Sequence, residues 1–369
     1  MNLLLMYGGK SSEHDISIIT AMQVYGALGK HKVTLLYVDR EGVFRIGDED
    51  MQPKDYANKQ KTDSLKKAAL LPNGFLYVYN RFGLHKYTKP QVAILAFHGV
   101  NGEDGKMAGL GSLYGLPIVN GSVVAQSVSM DKIITKIFLS GLRLPILPYY
   151  AIEKSMYLAN TDSEIEHIIN KISFPLIVKP SNLGSSIAIQ VVKDIPTLKS
   201  ALLTAFEFDI RALVEPALID FTEINCAAYK YKDEIIVSYA ERPICKNEIL
   251  DFTDKYMSFG KINTQRIFPF ECNFTDRIRT AVKRIYKSIN ADGVIRCDFL
   301  VANNKWYVNE INSIPGAFAN YLFKDITFEE LMDRLIEEAV KIKEENNKLN
   351  FAYESSVLQS QDYANKGCK

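Results

Sequence analysis

Four residues toward the C-terminal end have the types and the spacing to do chemistry. Arg296 and Asp298 stand two apart in the run Val294 to Val301, and Glu310 and Asn312 stand two apart in Trp306 to Asn312. Side chains alternate in direction along a β-strand, so each pair shares one face. The two runs read as a hairpin turning at Asn303-Asn304, with Ile295, Cys297, Phe299 and Ile311 free to face a core. Two carboxylates and an amide oxygen are hard ligands that suit Mg²⁺. Arg296 adds a fixed cation for a phosphate or a developing oxyanion. A solvated sheet face with an ordinary arginine–carboxylate pair accounts for the same residues, and the pattern alone leaves both readings open.

Two loops offer further chemistry. Lys179 closes the short strand Pro175 to Pro180 and is followed by Ser181-Asn182-Leu183-Gly184-Ser185-Ser186. Such a loop supplies backbone N–H groups, hydroxyls and charge for phosphate, although small polar turns after strands are common. His98-Gly99-Val100-Asn101-Gly102-Glu103-Asp104-Gly105 follows the strand Val92 to Phe97. Ligands gather at the carboxyl ends of parallel strands. A plain turn explains those glycines but not the His, Glu and Asp among them. Gly9-Lys10-Ser11 imitates the end of a phosphate-binding P-loop, but Leu4 stands where that motif needs its first glycine.

The elements that must position these residues are partly legible. Leu3 to Tyr7, Val33 to Val38 and Val92 to Phe97 are continuous apolar runs of strand length, and Ile16, Ile19, Val24 and Leu28 fit a helix between the first two. Strands apolar on both faces, alternating with helix, predict a parallel α/β sheet. Residues 45–85 give no clear pattern. Asp131 to Leu139 reads as helix. Ile187, Ile189 and Val191 predict a strand leaving the Gly184 loop. Glu223 to Tyr229 and Ile235 to Tyr239 predict a hairpin across Lys232-Asp233, and Ile278, Val282, Ile285 and Ile289 form a helical stripe. Thr327 and Glu330 make a capping box for a last helix, with Ile326 set to staple onto Leu331. From about Asn346 the chain turns polar and reads as a disordered tail.

Bulk properties narrow the classes. Lys plus Arg number 44 against 43 Asp plus Glu, a balance that lacks the basic excess of a nucleic-acid binder. The 369 residues suggest more than one domain. The cysteines Cys226, Cys245, Cys272, Cys297 and Cys368 are scattered without a C-x-x-C pair, so neither a disulfide framework nor a zinc site is expected. No stretch approaches a membrane span, and the first residues lack the flanks of a signal peptide. A cytoplasmic protein with reduced thiols, no nucleic-acid partner and no membrane is the expectation.

Taken together and in order, the segments resemble the D-alanine–D-alanine ligase branch of the ATP-grasp superfamily. The resemblance is carried by Gly8-Gly9-Lys10-Ser11-Ser12-Glu13-His14-Asp15-Ile16-Ser17, by His98 to Gly105, and by Ser129-Met130-Asp131-Lys132 with Lys136. It continues through Val178-Lys179-Pro180 to Gly184-Ser185-Ser186, Lys255-Tyr256, Arg296-Cys297-Asp298 and Glu310-Ile311-Asn312-Ser313-Ile314-Pro315-Gly316. Each segment is ordinary alone; the ordered set is specific. The resemblance implies an α/β, ATP-grasp fold with an N-terminal Rossmann-like parallel-sheet domain over residues 1–120. A central ATP-grasp lid domain over 121–214 and a catalytic domain over 215–345 would follow, then the polar tail 346–369.

It also implies roles. Lys132, Lys179 and Ser186 would bind the phosphates of ATP, and Lys255 would reach the γ-phosphate. Glu215 with the backbone of Ala217 and Leu218 would hold adenine, and Glu223 the ribose. Asp298, Glu310 and Asn312 would coordinate a pair of Mg²⁺ ions, with Mn²⁺ as an alternative. Glu13, linked through Ser185 to Tyr256, would hold the ammonium of the first amino acid near His98, and Arg296 with the Gly316 N–H would stabilise the oxyanion. The implied reaction joins two D-amino acids, D-alanine to D-alanine, through an acyl phosphate, for peptidoglycan precursors. Partners would be small amino acids, and a homodimer is compatible with the resemblance.

The sequence departs from the family at two places. Tyr321 stands where a serine is expected before Leu322 to bind the second amino acid's carboxylate, and Phe221-Thr222 replaces the usual glycine before Glu223. The second substrate is therefore open, and an ATP-grasp ligase joining another carboxylate–amine pair is the alternative. Tyr256 argues against a hydroxy-acid acceptor, whose ligases usually carry phenylalanine there. A nucleotide-binding homologue without catalysis would not need Arg296 together with Asp298, Glu310 and Asn312.

Overall fold

A computed structural model describes residues 1–244 and 266–350. The N-terminal sheet has the order Phe44–Ile46, Lys32–Val38, Asn2–Gly8, Val92–Leu95, Ile118–Val119, parallel except for the first strand at its edge. Its central strand explains the continuous apolar run. Leu3, Leu5 and Tyr7 enter one core, while Leu4 and Met6 enter another on the opposite face. The helix His14–Gly26 packs against this strand. Residues 45–85, which gave no pattern, hold the short helix Lys59–Ser64 and part of an antiparallel sheet of Ala68–Leu70, Leu76–Asn80 and Gly83–Thr88. The last of these strands is exposed almost throughout, so no alternation marks it.

A second, antiparallel sheet has the order Gln190–Val192, Leu176–Pro180, Arg211–Pro216, Tyr150–Glu153. The helices Thr161–Lys171 and Ile195–Phe208 bury Ile165, Ile168, Leu198 and Leu202 against it. The strand expected from Ile187 begins only at Gln190. Ser185, Ser186 and Ala188 have φ of 55°, 57° and 56°, and this left-handed path keeps the chain turning where the Ile187/Ile189 alternation suggested extension. The helix expected from Asp131 runs Lys132–Gly141, with Asp131 as its cap accepting from the Ile133 and Ile134 N–H groups.

The third sheet is antiparallel, in the order Glu234–Val237, Thr222–Tyr231, Val294–Ala302, Lys305–Asn312. Lys232-Asp233 and Asn303-Asn304 both take positive φ, the backbone of a tight hairpin whose twist matches its strands. The helix Thr275–Ser288 buries Ile278, Val282 and Ile285 on one face. The helix Phe328–Asn347 packs Leu331, Leu335, Ile336 and Ala339 in a core with Ala227, Tyr229 and Val294 from the other face. Its capping box is reciprocal: the Glu330 N–H donates to Thr327 Oγ1 at 3.2 Å and the Thr327 N–H to Glu330 Oε2 at 2.9 Å. Among the described residues no helix is long and apolar enough to cross a membrane.

Candidate active site

The last hairpin places the residues as their spacing requires. Arg296 lies opposite Asn312 and Asp298 opposite Glu310, with a register shift just after Asp298. Cys297 and Phe299 point the other way into the core. The Arg296 guanidinium holds Asp298 in a fork, with Nε to Oδ1 and Nη2 to Oδ2 both 2.7 Å. Asn312 Nδ2 donates to the same Oδ2 at 3.0 Å. Asp298 is 3% exposed. Burial raises its pKa, Arg296 opposes this, and the carboxylate of Glu310 pushes it up again. Two acidic groups facing each other, buried Asp298 and part-buried Glu310, repel, and a divalent cation relieves that repulsion. Their oxygens and the Asn312 amide are the donor set magnesium takes, so these residues fit the ion.

Across the site, Glu13 sits in a pocket made by glycines. It is 5% exposed, and the Ser185 hydroxyl donates to its Oε1. A Cβ on Gly184 would lie 2.4 Å from Glu13 Oε2, and one on Gly99 would lie 2.7 Å from the same atom. Gly99 also has φ of +74°. Both loops therefore carry glycine because a buried carboxylate lies against their backbones. Glu103 joins this pocket to the hairpin: its carboxylate accepts from the Gly99 N–H and the Ile314 N–H, each at 3.2 Å. Burial, then the charge of Glu13, raises the Glu103 pKa to about 8. His98 is held by Thr20, Nε2 to Oγ1 at 2.8 Å. Burial and then Arg296 lower its pKa to about 4, so its ring is neutral at pH 7.

The lysines meet on the middle sheet. Ile177 pairs with Glu215 across two strands, which sets Lys179 diagonally beside Glu215 on the same face. Lys179 Nζ donates to Glu215 Oε2 at 2.9 Å, and Lys136 Nζ lies 2.5 Å from Oε1. Burial works against the Glu215 charge, but the two ammonium groups outweigh it and hold its pKa at about 2. Burial lowers the Lys136 pKa although Glu215 opposes this. The directions agree with a buried cluster that has one cation too many, a natural seat for an anion. Lys136 figured in the sequence resemblance without a role; its helix reads as an ordinary amphipathic one, and only the fold reveals its partner.

The remaining expected residues fall around this core. Lys132 donates to the Leu183 carbonyl of the Gly184 loop, and Ser186 occupies that loop's left-handed turn. The Ala217 N–H donates to the Pro175 carbonyl at 2.8 Å. Glu223 lies on the strand paired with Val294–Ala302, opposite Leu300. After Pro315 the chain makes a left-handed turn, with φ of 48°, 52° and 47° at Ala317, Phe318 and Ala319. Such a backbone costs roughly 1–2 kcal/mol per residue, offset by the complete burial of Phe318 and Leu322. Gly316 at its start has open space on its Cβ side. The turn delivers Tyr321 to Arg296: the phenol is among the groups that raise the Arg296 pKa, and burial raises its own to about 12. Lys255 and Tyr256 lie outside the described residues.

Comparison with known sequences decides the family. The profile described as "D-ala D-ala ligase N-terminus" matches residues 2–121 and that described as "D-ala D-ala ligase C-terminus" matches residues 138–337. The chain belongs to the D-alanine–D-alanine ligase family. Its fold is the ATP-grasp fold of that family, and use of ATP comes with membership. The D-alanine–D-alanine ligase of Thermosipho africanus is 33% identical over 360 residues, covering 95% of this chain and 96% of that one. The crystal structure of the ligase from Helicobacter pylori superposes with a TM-score of 0.74 at 30% identity, over 91% of this chain and 98% of that chain. The ligase from Coxiella burnetii gives 0.76 at 26% identity, over 94% and 97%.

Proposed function

We propose that the protein joins D-alanine to D-alanine at the expense of ATP, supplying a dipeptide for peptidoglycan precursors. The observation that carries this reading is Glu103, which ties the Glu13 pocket to the Arg296–Asn312 hairpin through the Gly99 and Ile314 amides. An ammonium anchor and a phosphoryl-transfer face thereby lie within one site. The three largest sheets support a division into an N-terminal part to residue 120, a central part to 214 and a catalytic part to 345.

A carboxylate is a poor electrophile. Its oxygen attacks the γ-phosphorus of ATP, ADP leaves, and the resulting acyl phosphate keeps a good leaving group. The amine of the second amino acid adds to the acyl carbon, giving a tetrahedral oxyanion, and phosphate departs as the amide forms. Glu13, oriented by Ser185, holds the ammonium of the first amino acid. Lys132 and Lys179 meet the phosphates, with Lys255 at the γ-phosphate, and Glu215 with Leu218 and Ala217 holds adenine while Glu223 takes the ribose. The surplus cation of the Lys136–Glu215–Lys179 cluster favours the anionic nucleotide. Asp298, Glu310 and Asn312 would hold magnesium, which supplies charge neutralisation at the phosphates. Arg296 and the Gly316 N–H face the oxyanion, where one such donor is worth roughly 3–4 kcal/mol. Neutral His98 adds no charge that would compete with Glu13 for the ammonium. A reaction that consumes ATP belongs where ATP is kept, so the proposed location is the cytoplasm.

The test is phosphate release by the full-length protein with ATP, Mg²⁺ and a panel of D- and L-amino acids, with products read by mass. Release that is specific to D-alanine and yields D-alanyl-D-alanine supports the reading. Release with another amine, or none with any, overturns it.

A further inference from the structure

Tyr321 replaces the hydroxyl donor expected for the second amino acid's carboxylate, and its surroundings contain a stronger one. Arg266 lies on the two-residue strand Arg266–Ile267, with Pro243 opposite it. Its guanidinium carbon stands 4.5 Å from the centroid of the Tyr321 ring. A guanidinium over an aromatic face is held in a plane while its N–H edge stays available. Among the described residues its one ion-pair partner is Glu241, with Nη1 to Oε2 at 3.8 Å, longer than a hydrogen bond. The Arg266 side chain is 46% exposed and that of Glu241 only 4%.

Glu241 is itself fixed. Its backbone exchanges both hydrogen bonds with Asn225 at 2.9 Å, and the Asn225 amide donates to its Oε1 at 3.3 Å. Its Oε2 is buried with no hydrogen-bond partner among the described residues. Asn225 in turn lies opposite Asp298 in the sheet. The cluster Arg266–Tyr321–Glu241–Asn225 thus adjoins the strand that carries Arg296 and Asp298, and the Tyr321 phenol is close enough to act on the Arg296 charge.

We propose that Arg266 binds the carboxylate of the acceptor amino acid, seated on the Tyr321 ring and oriented by Glu241, and so selects acceptors that carry a carboxylate beside the amine. This rests on the ligase reading above. Arg266 touches the substrate through its N–H edge; Glu241 is a positioning residue. A planar fork matches a carboxylate with two parallel hydrogen bonds, which a serine hydroxyl cannot offer. The departure at Tyr321 then becomes a different solution to the same recognition problem: the ring replaces the serine as a platform, and the charge comes from another strand.

The experiment uses hydroxylamine, a nucleophile without a carboxylate, which intercepts the acyl phosphate as a hydroxamate. The full-length protein is given ATP, Mg²⁺, D-alanine and hydroxylamine, and hydroxamate and dipeptide are measured together. In Arg266→Gln the ratio of dipeptide to hydroxamate should fall about ten- to a hundredfold, the loss expected for a charge-assisted contact. Arg266→Lys should recover part of it, since the charge remains and the fork does not. The unaltered protein, which needs no variant to fold, should prefer D-alanine to D-alaninamide as acceptor by at least about tenfold. An unchanged product ratio in Arg266→Gln, or no preference over the amide, overturns the assignment. Hydroxamate without dipeptide in the unaltered protein overturns the acceptor reading and this inference with it. Neither product overturns the ligase reading itself.

Discussion

The Ser185 hydroxyl donates to the carboxylate of Glu13, a residue 172 positions earlier in the chain. One is on the loop of the middle sheet and the other precedes the first helix, so the bond exists only when the two units are docked. If Glu13 anchors the first ammonium, Glu13→Gln removes the charge and should weaken the first amino acid about ten- to a hundredfold. ATP affinity by calorimetry should be unchanged. The check is the D-alanine dependence of hydroxamate formation, which reads the first site alone; an unaltered half-saturation point would remove Glu13 from it.

Gly184→Ala tests the same pocket without touching a polar group. The added methyl would lie 2.4 Å from Glu13 Oε2 and 2.8 Å from Oε1, closer than contacting atoms approach, and the Gly99 backbone lies against the same Oε2. Glu13 must move. We expect hydroxamate formation to fall at least tenfold, the effect of an anchor displaced by about 1 Å, while the thermal midpoint changes little. A fully active alanine variant would show that the carboxylate has room the structure does not give it.

Glu215 should reveal itself in the pH dependence of stability. Its folded pKa of about 2 lies below the ordinary 4.5, so its contribution is present above pH 4.5 and is lost as pH falls toward 2. Glu215→Gln leaves Lys136 and Lys179 buried without their counter-charge, a loss of about 3–5 kcal/mol at neutral pH. Urea unfolding of both proteins between pH 7 and pH 3 should show the gap narrowing at the acid end. A gap constant across that range would mean that the Glu215 pKa is the same in the folded and unfolded states, so that the two lysines do not lower it.

These residues differ in how far they could be read without the fold. Arg296, Asp298, Glu310 and Asn312 were legible because a strand's alternation and a short turn fix their shared face. Leu3 to Tyr7 was legible because both its faces are buried. The strand Gly83–Thr88 was not, since its exposed side chains follow no alternation, and the strand expected at Ile187 gave way to positive φ at Ser185, Ser186 and Ala188. Gly99 and Gly184 looked like turn glycines; their cause is Glu13, far away in sequence. Lys136 entered only through the resemblance and without a role, and Arg266 gave no signal, because its meaning lies in the ring of Tyr321 beneath it.

Glu310→Gln keeps the shape of the side chain and removes one of the two facing carboxylates. We expect ligation to be lost while the fold and its thermal midpoint hold, since Asp298 keeps Arg296 and Asn312 as partners. Near-normal turnover at saturating Mg²⁺ would remove Glu310 from the metal site.

Tyr321→Phe separates the phenol hydroxyl from the ring. Phenylalanine keeps the surface under the Arg266 guanidinium, so any change reports the hydroxyl alone. If that hydroxyl donates to the carboxylate of the acceptor, its loss costs roughly 1.5–3 kcal/mol, or about ten- to a hundredfold in the acceptor's Michaelis constant. The first amino acid, anchored at Glu13, should be little affected. Tyr321→Ser restores a donor but removes the ring, so it should be milder than phenylalanine only if the hydroxyl matters more than the platform. The measurement is the dipeptide rate against D-alanine beside hydroxamate formation, which isolates the first site. A normal acceptor constant in Tyr321→Phe with a raised one in Tyr321→Ser would assign Tyr321 to the support of Arg266. Equal, small effects in both variants would make Tyr321 a packing residue on the turn from Gly316, and neither its hydroxyl nor its ring would contribute to holding the acceptor.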